Sequence, residues 1–464
     1  MDGLEVQEIL YSELEFSGRI DAEYYRKAYL AYEDTIHKCK NDRLFHLADF
    51  LIGPFGSAYD TDNYTDVPDF RYVRGQDVKP FVLKNTEPRY MTEEDFRRLS
   101  KYALKAGDIL VSVVGTLGNA CIVREKDVPA IFSCKSTVVR TNMINPYYLT
   151  CYLNSKYGRS LLLRKERGAI QKGLNLDDLK MLDIPLFSDK FQNICAKLLN
   201  KTYKLIDEAG NIYKEAEELL LETLGLRNFN PQIEQYSIKS FKKSFADTGR
   251  LDAEFYQKKY DLIESALRNY DTDIKRLDEI AEYIFTGQYA EEYFDYKEGR
   301  KYYIRGTDVC KGVVEINNKY CINPQHYSKF VKVGDLVTGR VGTIGNFGLI
   351  DRNLDGAVCS DNILCFHLPE NYIPEVYALY FNLTFTNELI TRLIRGSVQP
   401  RLNQETLRDI LVPFIGIEVQ EQLREIINKS REMGRDSKKI LDKAILMVET
   451  AIEEGEEIAL KLCE

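Results

Sequence analysis

Two stretches of the chain repeat apolar or small residues at spacings that alternate between four and three positions. Adding 228 to each position of the first stripe gives the second. A period of 3.5 residues places one stripe along a helix and is typical of a coiled coil. We therefore predict long helices at residues 189–228 and 417–464. Their stripes are Phe191, Cys195, Leu198, Thr202, Leu205, Ala209, Ile212, Ala216 and Leu219, and Val419, Leu423, Ile426, Ser430, Met433, Ser437, Ile440, Ala444 and Met447.

Neither helix can bury its stripe alone. The matched register, with large and small residues alternating, favours close packing of the two helices, although each could pack on its own globular region instead. Because a globular region lies between them along the chain, mutual packing would be antiparallel. A helix of about 35 residues, rising about 1.5 Å per residue, would then hold the globular regions on the order of 50 Å apart.

Outside the helices, the pattern changes to short β-type runs broken by Gly, Asn, Asp and Pro. Examples are "DILVSVV" (108–114) and "CIVRE" (121–125). Pro185 and Pro413 precede the long helices and disfavour helix upstream. The predicted fold class is α+β, with two mixed α/β domains at residues 1–188 and 229–416 separated by two long antiparallel coiled-coil helices.

The two domains are copies of one another. "SGRIDAEYY" (17–25) returns as "TGRLDAEFY" (248–256), and "YVRGQDV" (72–78) as "YIRGTDV" (303–309), each 231 positions later. "GDILVSVVGTLGNACIV" (107–123) returns as "GDLVTGRVGTIGNFGLI" 227 positions later, and "RGAIQKGLN" (167–175) as "RGSVQPRLN" 228 positions later. Matches in the same order at a nearly constant offset indicate a domain duplication.

Fragments that imitate enzyme motifs fail in their context. "NPYY" (145–148) lacks the second proline of the Asn-Pro-Pro-Tyr motif of adenine methyltransferases and favours a helix start with Pro at N1. In "GPFGS" (53–57), Pro54 removes an N–H that a phosphate cradle would use. "GTLGN" (115–119) has no lysine and precedes a strand, so a β-hairpin turn is predicted. We predict no catalytic residue, no cofactor and no metal site.

Composition and charge exclude further classes of protein. The 464 residues carry a net charge of −9, which excludes a basic coat for nucleic acid but not a local DNA-binding groove. No apolar run reaches membrane-spanning length. Ten scattered cysteines, four histidines without metal spacing and an acidic N-terminus predict a cytoplasmic protein with reduced thiols.

Polar and basic residues recur at matched positions near glycine turns, where they suit contact with phosphates and base edges. For Arg74 and Arg305 an internal structural role is equally consistent with the pattern. Positions that differ between the copies, such as Val113 against Arg340 and Lys135 against Asn362, would let two equal scaffolds read different sequences. The candidate DNA contacts are Arg74, Gln76, Ser112, Thr116, Lys135, Arg164, Arg167, Gln171, Arg305, Thr307, Arg340, Thr343, Arg392, Arg395, Gln399 and Arg401.

These motifs, in this order and present twice, resemble the target recognition domains of the specificity (S) subunit of type I restriction-modification systems. The resemblance rests on "GPFGS", "R-G-x-D-V", "G-D-I-L-V-S-x-x-G-T-x-G", and "G-x-x-Q-x-x-L-N" followed by a long helix, and it covers nearly the whole chain. The second copy departs from the pattern at "FTGQYA" (285–290), which replaces "GPFGSA" and argues against a shared role for 53–57, and at Arg340, where a serine-like residue is typical.

The resemblance implies that each domain reads one half of a split double-stranded DNA target. The helices would set the gap and dock two DNA methyltransferase (M) subunits, and through them restriction (R) subunits. The chain itself would be non-catalytic, without a cofactor. Three alternatives remain at this point: the recognition subunit of a type IIB or IIG-like system, a fused DNA methyltransferase/nuclease, and a coiled-coil scaffold with no DNA role.

Overall fold

The computed structural model describes residues 5–12, 14, 18–84, 87–168, 172–229, 236–271, 273–295, 300–316, 320–342, 344–394 and 401–463. The chain divides into two compact units. The first unit joins Met1–Ile206 to Arg435–Glu464, and the second is Asp207–Gly434. Each unit therefore contains a mixed α/β domain and one half of each long helix.

The first unit is built on a four-stranded antiparallel sheet of order β2-β8-β5-β6, beside a three-stranded sheet β4-β3-β7 and the pair β1-β9. Its strands are β1 (Asn41–Arg43), β2 (Asp49–Ile52), β3 (Phe70–Val73), β4 (Arg89–Met91), β5 (Ile109–Ser112), β6 (Ala120–Ile122), β7 (Ala130–Phe132), β8 (Ser136–Arg140) and β9 (Asp183–Pro185). Its helices are α1 (Lys27–Lys38), α2 (Leu44–Leu47), α3 (Glu93–Arg98), α4 (Pro146–Asn154), α5 (Lys156–Arg164) and α6 (Leu176–Lys180), followed by the long helix α7 (Asp189–Thr223).

The second unit repeats this plan, with four-stranded sheets β11-β20-β17-β18 and β12-β16-β13-β19 and the pairs β10-β21 and β14-β15. Its strands are β10 (Lys275–Arg276), β11 (Tyr283–Thr286), β12 (Phe294–Asp295), β13 (Lys301–Ile304), β14 (Val309–Cys310), β15 (Val313–Val314), β16 (Tyr320–Ile322), β17 (Leu336–Gly339), β18 (Phe347–Leu349), β19 (Val358–Cys359), β20 (Ile363–His367) and β21 (Leu411–Val412). Its helices are α8 (Lys258–Tyr270), α9 (Leu277–Ile280), α10 (Pro374–Asn382), α11 (Thr384–Leu393) and α12 (Gln404–Arg408). The long helix α13 (Ile417–Glu454) follows. Its second half and the short helix α14 (Glu456–Lys461) belong to the first unit.

The predicted duplication and the α+β class are confirmed. In both units the central sheet is antiparallel, and a parallel pair lies beside it, β3 with β7 and β13 with β19. The predicted helix start at "NPYY" is also confirmed. Pro146 opens α4, and the Asn145 side chain accepts a hydrogen bond from the N–H of Tyr147 at 2.9 Å. Proline has no N–H to satisfy, so the first turn of a helix suits it.

The long helices pack antiparallel within each unit, as predicted. The start of α7 and the end of α13 share the core of the first unit, where Cys195 and Ala444 are fully buried. The end of α7 and the start of α13 share the core of the second unit, where Ser430 Oγ donates to the carbonyl of Ala209 at 2.8 Å. The helices also contact the globular parts, since the Tyr203 hydroxyl donates to the carbonyl of Phe81 at 2.8 Å.

The predicted stripe is only partly the buried line of the helices, because Leu199, Leu220 and Ile427 are buried beside half-buried stripe positions. Small residues recur every seven positions and are buried, whereas the larger residues between them are mostly half-buried. Small side chains on the contact line allow close approach of two helix backbones, and the larger ones cover the sides. The buried small residues are Cys195, Thr202, Ala209 and Ala216 in α7 and Ser430, Ser437 and Ala444 in α13.

The repeated "G-T-x-G-N" segments are hairpin turns, as predicted. The first connects antiparallel β5 and β6 and the second connects antiparallel β17 and β18. Gly115 and Gly118 have φ of 87° and 73°, a region that side chains with a Cβ rarely adopt. None of the helices in the described part of the chain is long and apolar enough to cross a membrane.

Candidate nucleic-acid interface

The ends of several strands meet at one edge of the first unit. The last residues of β2 and β5 pair with the first residues of β8, Ile52 with Thr137 and Ser112 with Ser136. The last residues of β3 and β7 lie side by side, Val73 beside Phe132. We call the loops that follow these strands the first strand-end surface, which comprises residues 53–57, 74–77, 113–118, 133–135, 167–168 and 172–173.

Backbone hydrogen bonds join these loops into one surface. The N–H of Ser133 donates to Val73 O at 2.9 Å, and the N–H of Val113 donates to Lys135 O at 3.0 Å. The N–H of Arg167 donates to Gly173 O at 2.9 Å, and Gly173 bridges to Val114. The surface is therefore held by main-chain contacts, which do not depend on the identity of its exposed side chains.

The second unit carries the same arrangement. Thr286 and Gly339, the last residues of β11 and β17, pair with Leu364 and Ile363 of β20. The N–H of Arg340 donates to Asn362 O at 2.8 Å. We call residues 287–289, 305–308, 340–342, 344–345, 360–362 and 401–402 the second strand-end surface.

One glycine in each surface marks a close contact between loops. A Cβ on Gly53 would lie 2.4 Å from Ser133 O, and a Cβ on Gly287 would lie 2.2 Å from Ser360 O. These distances leave no room for a side chain, so the two glycines have the same structural role. This corrects the expectation that "FTGQYA" lacks the role of residues 53–57, because Gly287 follows β11 as Gly53 follows β2.

Six of the predicted contact residues are exposed on these surfaces. Lys135 lies against the residue that precedes Gln76, since a Cβ on Gly75 would be 2.7 Å from Lys135 Cβ. The Arg167 guanidinium is half exposed and binds Asp178 at 3.0 and 3.1 Å, which raises the pKa of Arg167. The exposed six are Gln76, Thr116, Lys135 and Arg167 in the first unit and Thr307 and Arg401 in the second.

Arg74 and Arg305 form part of the frame beneath the surfaces. The Arg74 guanidinium binds buried Asp77 at 2.8 and 3.1 Å, and this hydrogen-bonded pair raises the pKa of Arg74. Arg305 lies 3.7 Å from buried Asp308 and 4.6 Å from the centre of the Tyr320 ring. Of the two roles considered for these arginines, their contacts favour the internal one.

Three predicted contacts have side chains that are buried or mostly buried and that bind groups within the protein. Ser112 is fully buried, and its hydroxyl donates to the carbonyl of Thr116 inside the hairpin. Arg164 is 6% exposed and binds Glu33 at 2.8 Å, with its guanidinium 4.1 Å from the centre of the Tyr24 ring. Arg392 makes the equivalent contacts in the second unit, with Asp261, Glu264 and the ring of Phe255.

Arg340 is intermediate between frame and surface. It is partly buried, and its Nη1 donates to the carbonyl of Asp361 at 2.9 Å. Its buried Nε has no hydrogen-bond partner among the residues that the structure describes. The other predicted contacts, Gln171, Thr343, Arg395 and Gln399, lie outside the described residues.

Two exposed aromatic residues on these surfaces are not among the contacts predicted from the sequence. Phe55 and Tyr289 each stand two positions after the tight glycine, and their side chains are 77% and 69% exposed. The sequence signal was present, as "G-P-F" in one copy and "G-Q-Y" in the other. The match is hard to recognise in the sequence because flanking residues differ and the offset of 234 departs from the 227–231 of the other matches.

One group of metal-type ligands occurs among the described residues. Glu33, His37 and Asp183 bring one ligand atom each to within 4.8 Å of one another. Both carboxylates also have arginine partners, Arg164 at 2.8 Å from Glu33 and Arg43 at 3.0 Å from Asp183. Their negative charge is therefore already balanced within the protein, and the group serves the packing of α1 on β9.

Comparison with known proteins identifies the family to which these two domains belong. The model of the "Type I restriction modification DNA specificity domain" matches the chain twice, at residues 44–218 and 269–445. The chain belongs to this family. The two matches fall on the two copies, so the duplicated strand-end surfaces are surfaces of two type I specificity domains.

Individual relatives are distant. The EcoBI type I restriction enzyme specificity subunit of Escherichia coli is 26% identical over 149 residues, which is 32% of this chain and 31% of that relative. The chain thus matches about a third of the length of that curated relative. Among solved structures, a type I S subunit from M. genitalium has a TM-score of 0.39 and 14% identity, over 89% of this chain and 95% of that one. The HsdS subunit of Thermoanaerobacter tengcongensis has a TM-score of 0.29 and 14% identity, over 90% and 97%.

Proposed function

We propose that this chain is the non-catalytic DNA specificity subunit of a cytoplasmic type I restriction-modification complex. Each specificity domain reads one half of a bipartite double-stranded DNA target. The observation that supports this is the contrast within the duplicated surfaces. Their main-chain frame is the same twice, whereas the exposed side chains differ, with Gln76 against Thr307 and Lys135 against Asn362.

This contrast has a physical reason. Side chains with different hydrogen-bonding groups distinguish base edges, whereas the frame that positions them carries no sequence information. Two equal frames with unequal side chains would recognise two different half-sites. A net charge of −9 for the whole chain fits a subunit whose partners supply much of the phosphate neutralisation.

We propose further that two methyltransferase subunits dock on the chain, and restriction subunits through them. Support comes from an exposed apolar tip that occurs in both units with the same bracing. In each, an arginine binds the aspartate two residues on and two backbone carbonyls, and the residue between arginine and aspartate points outward. These residues are Ile20 and Leu251, 91% and 73% exposed.

A surface kept the same in both copies suits one partner that binds twice. Native mass spectrometry with the methyltransferase subunit should show two copies on the wild-type chain. We expect one copy on Ile20→Glu or Leu251→Glu and none on the double variant, because a charge at the apolar contact opposes docking. Unchanged binding of two copies by the double variant would remove these tips from the interface.

We propose that α7 and α13 set the distance between the two half-sites. Inserting one heptad after both Ala209 and Ser437 preserves the 3.5-residue stripe while lengthening each helix by about 10 Å at about 1.5 Å per residue. The methylated sites should then contain a longer gap between unchanged half-sites. Recognition of the original spacing would contradict this role.

The test of the whole proposal is the methylated motif. The chain with its methyltransferase subunit and S-adenosylmethionine should modify a random DNA library at a two-part motif, and the chain alone should modify nothing. Exchanging Gln76→Thr and Lys135→Asn should change one half of the motif and leave the other intact. A motif in one block, or methylation by the isolated chain, would contradict the proposal.

A further inference from the structure

Two large apolar rings are exposed to solvent at matching places in the two units. Phe55 and Tyr289 are 77% and 69% exposed, each on a strand-end surface. Keeping such a ring in water forgoes the stabilisation that its burial would provide. A single exposed ring is common on protein surfaces, but its repetition at one position of a duplicated fold needs a reason.

The loops hold the rings outward by fixing the residues just before them. Gly53 and Gly287 sit against backbone, with no room for a Cβ, and Pro54 between Gly53 and Phe55 is buried. In the second unit the side-chain oxygen of Gln288 accepts hydrogen bonds from the N–H groups of Ser328 and Lys329 at 3.0 and 2.8 Å.

The second loop is also tied at its backbone, because the Tyr303 hydroxyl donates to Gln288 O at 2.9 Å. In the first, the N–H of Ala58 donates to Phe55 O at 2.8 Å and closes the turn that carries the ring. Different contacts thus anchor the two loops, and both loops present an exposed ring. The exposed position of each ring therefore follows from the fixed backbone that precedes or follows it.

The surroundings indicate what the rings contact. Phe55 belongs to the surface that carries Gln76 and Lys135, and Tyr289 to the one that carries Thr307 and Asn362. Apolar rings beside polar and cationic side chains match a base edge, where a thymine methyl or an exposed base face lies next to hydrogen-bonding groups and phosphate. The rings differ by one hydroxyl, which only Tyr289 can use as a donor or acceptor.

We propose that Phe55 and Tyr289 are specificity-determining residues that contact bases at equivalent positions of the two half-sites. This inference rests on the proposed DNA-reading function. Phe55 makes an apolar contact, and Tyr289 adds a hydrogen bond through its hydroxyl. The two rings therefore prefer different base pairs although each stands two positions after the tight glycine of its loop.

The experiment compares methylation motifs of the complex with its methyltransferase subunit on a random DNA library. Phe55→Ala should lower discrimination by about tenfold at one or two base pairs of one half-site, and Tyr289→Ala should do so in the other. Tyr289→Phe should change the preference in its own half only. Affinity for random duplex at low salt, which depends on phosphates, should stay within about twofold.

Matched controls lie at the opposite end of the same sheets. Met143, 67% exposed, follows β8, and Val333, 46% exposed, precedes β17. Met143→Ala and Val333→Ala should leave both halves of the motif unchanged. Circular dichroism should show that all variants fold, since each removed side chain is exposed.

The possible outcomes are distinct. Loss of discrimination confined to one half by each ring variant supports the proposal. An unchanged motif in both alanine variants, or equal loss in both halves, overturns it while leaving the two-part motif in place. If the wild-type complex produces no two-part motif, the proposed function itself fails, and the base-reading role of the rings fails with it.

Discussion

Replacement of Gly53 by alanine tests whether the strand-end surface is held by the close contact of its loops. The added Cβ would lie 2.4 Å from Ser133 O, 2.5 Å from Ser133 C and 2.8 Å from Cys134 N. Ordinary contact begins near 3.4 Å, so the two segments must separate by about 1 Å. All three atoms belong to the backbone, so no side-chain rotation can relieve the overlap.

Overpacking of this kind typically costs 1–3 kcal/mol. We expect about 2–3 kcal/mol for Gly53→Ala, because the displaced Ser133 also donates a backbone hydrogen bond to Val73 at 2.9 Å. Gly56→Ala in the same loop is the control. A Cβ there meets no atom within 4 Å, so the expected change is within about 0.5 kcal/mol.

Hydrogen exchange of the intact chain is the suitable assay, since a chain of two compact units does not give one two-state transition. The amides of β7 and β8 should exchange faster in Gly53→Ala by about 30- to 150-fold, which corresponds to 2–3 kcal/mol at 1.4 kcal/mol per tenfold. Protection equal to that of Gly56→Ala would refute the close contact as a source of rigidity. Gly287→Ala should reproduce the effect in the second unit.

The remaining predictions separate frame residues from surface residues. Arg164→Ala should destabilise the first unit by about 2 kcal/mol, seen as faster hydrogen exchange in α1 and α5, because it removes a buried guanidinium and its hydrogen bonds, yet it should leave the motif of any folded complex unchanged. Arg167→Ala should cost under about 1 kcal/mol of stability and weaken DNA binding by the complex, which a gel-shift titration would measure; equal affinity would make Arg167 structural. Ser430→Ala should cost about 1 kcal/mol through loss of its bond to Ala209, seen as faster exchange at the helix contact. The Arg19 side chain lowers the pKa of Asp21, so their pairing stabilises the fold above the unfolded pKa of about 3.9 and is lost as pH falls through the lower folded pKa; Asp21→Asn should remove this part of an acid titration followed by circular dichroism.

Repetition of an arginine in both copies does not by itself indicate that its side chain is exposed. Arg164 and Arg392 recur because each lies against an aromatic ring, at 4.1 Å for Tyr24 and 4.8 Å for Phe255, and binds acidic groups of a neighbouring helix. A residue that recurs in both copies of a duplicated fold can therefore be one that stabilises each copy. Residues that define two different half-sites should stand at matching places but differ in their side chains, as Phe55 and Tyr289 do.

The sequence alone determined the class and the organisation of this protein. The duplication, the helix stripe with small residues every seven positions, the start of α4 at Pro146 and the glycine hairpins all follow from local rules. Periodicity, turn chemistry and internal repetition act over a few residues or are counted along the chain, so they can be read before any contact is known.

Tertiary structure alone decided which polar residues face outward. Ser112 and Thr116 stand four positions apart in one hairpin, yet the first is buried and the second exposed. Arg164 and Arg167 stand three positions apart, and one lies in the core while the other is half exposed. The equivalence of Phe55 and Tyr289 is visible only in the structure, where Gly53 and Gly287 lie against matching backbone segments, at Ser133 and Ser360. Burial and close approach depend on residues more than 75 positions away, such as Ser133 for Gly53, and no local pattern in the sequence encodes those contacts.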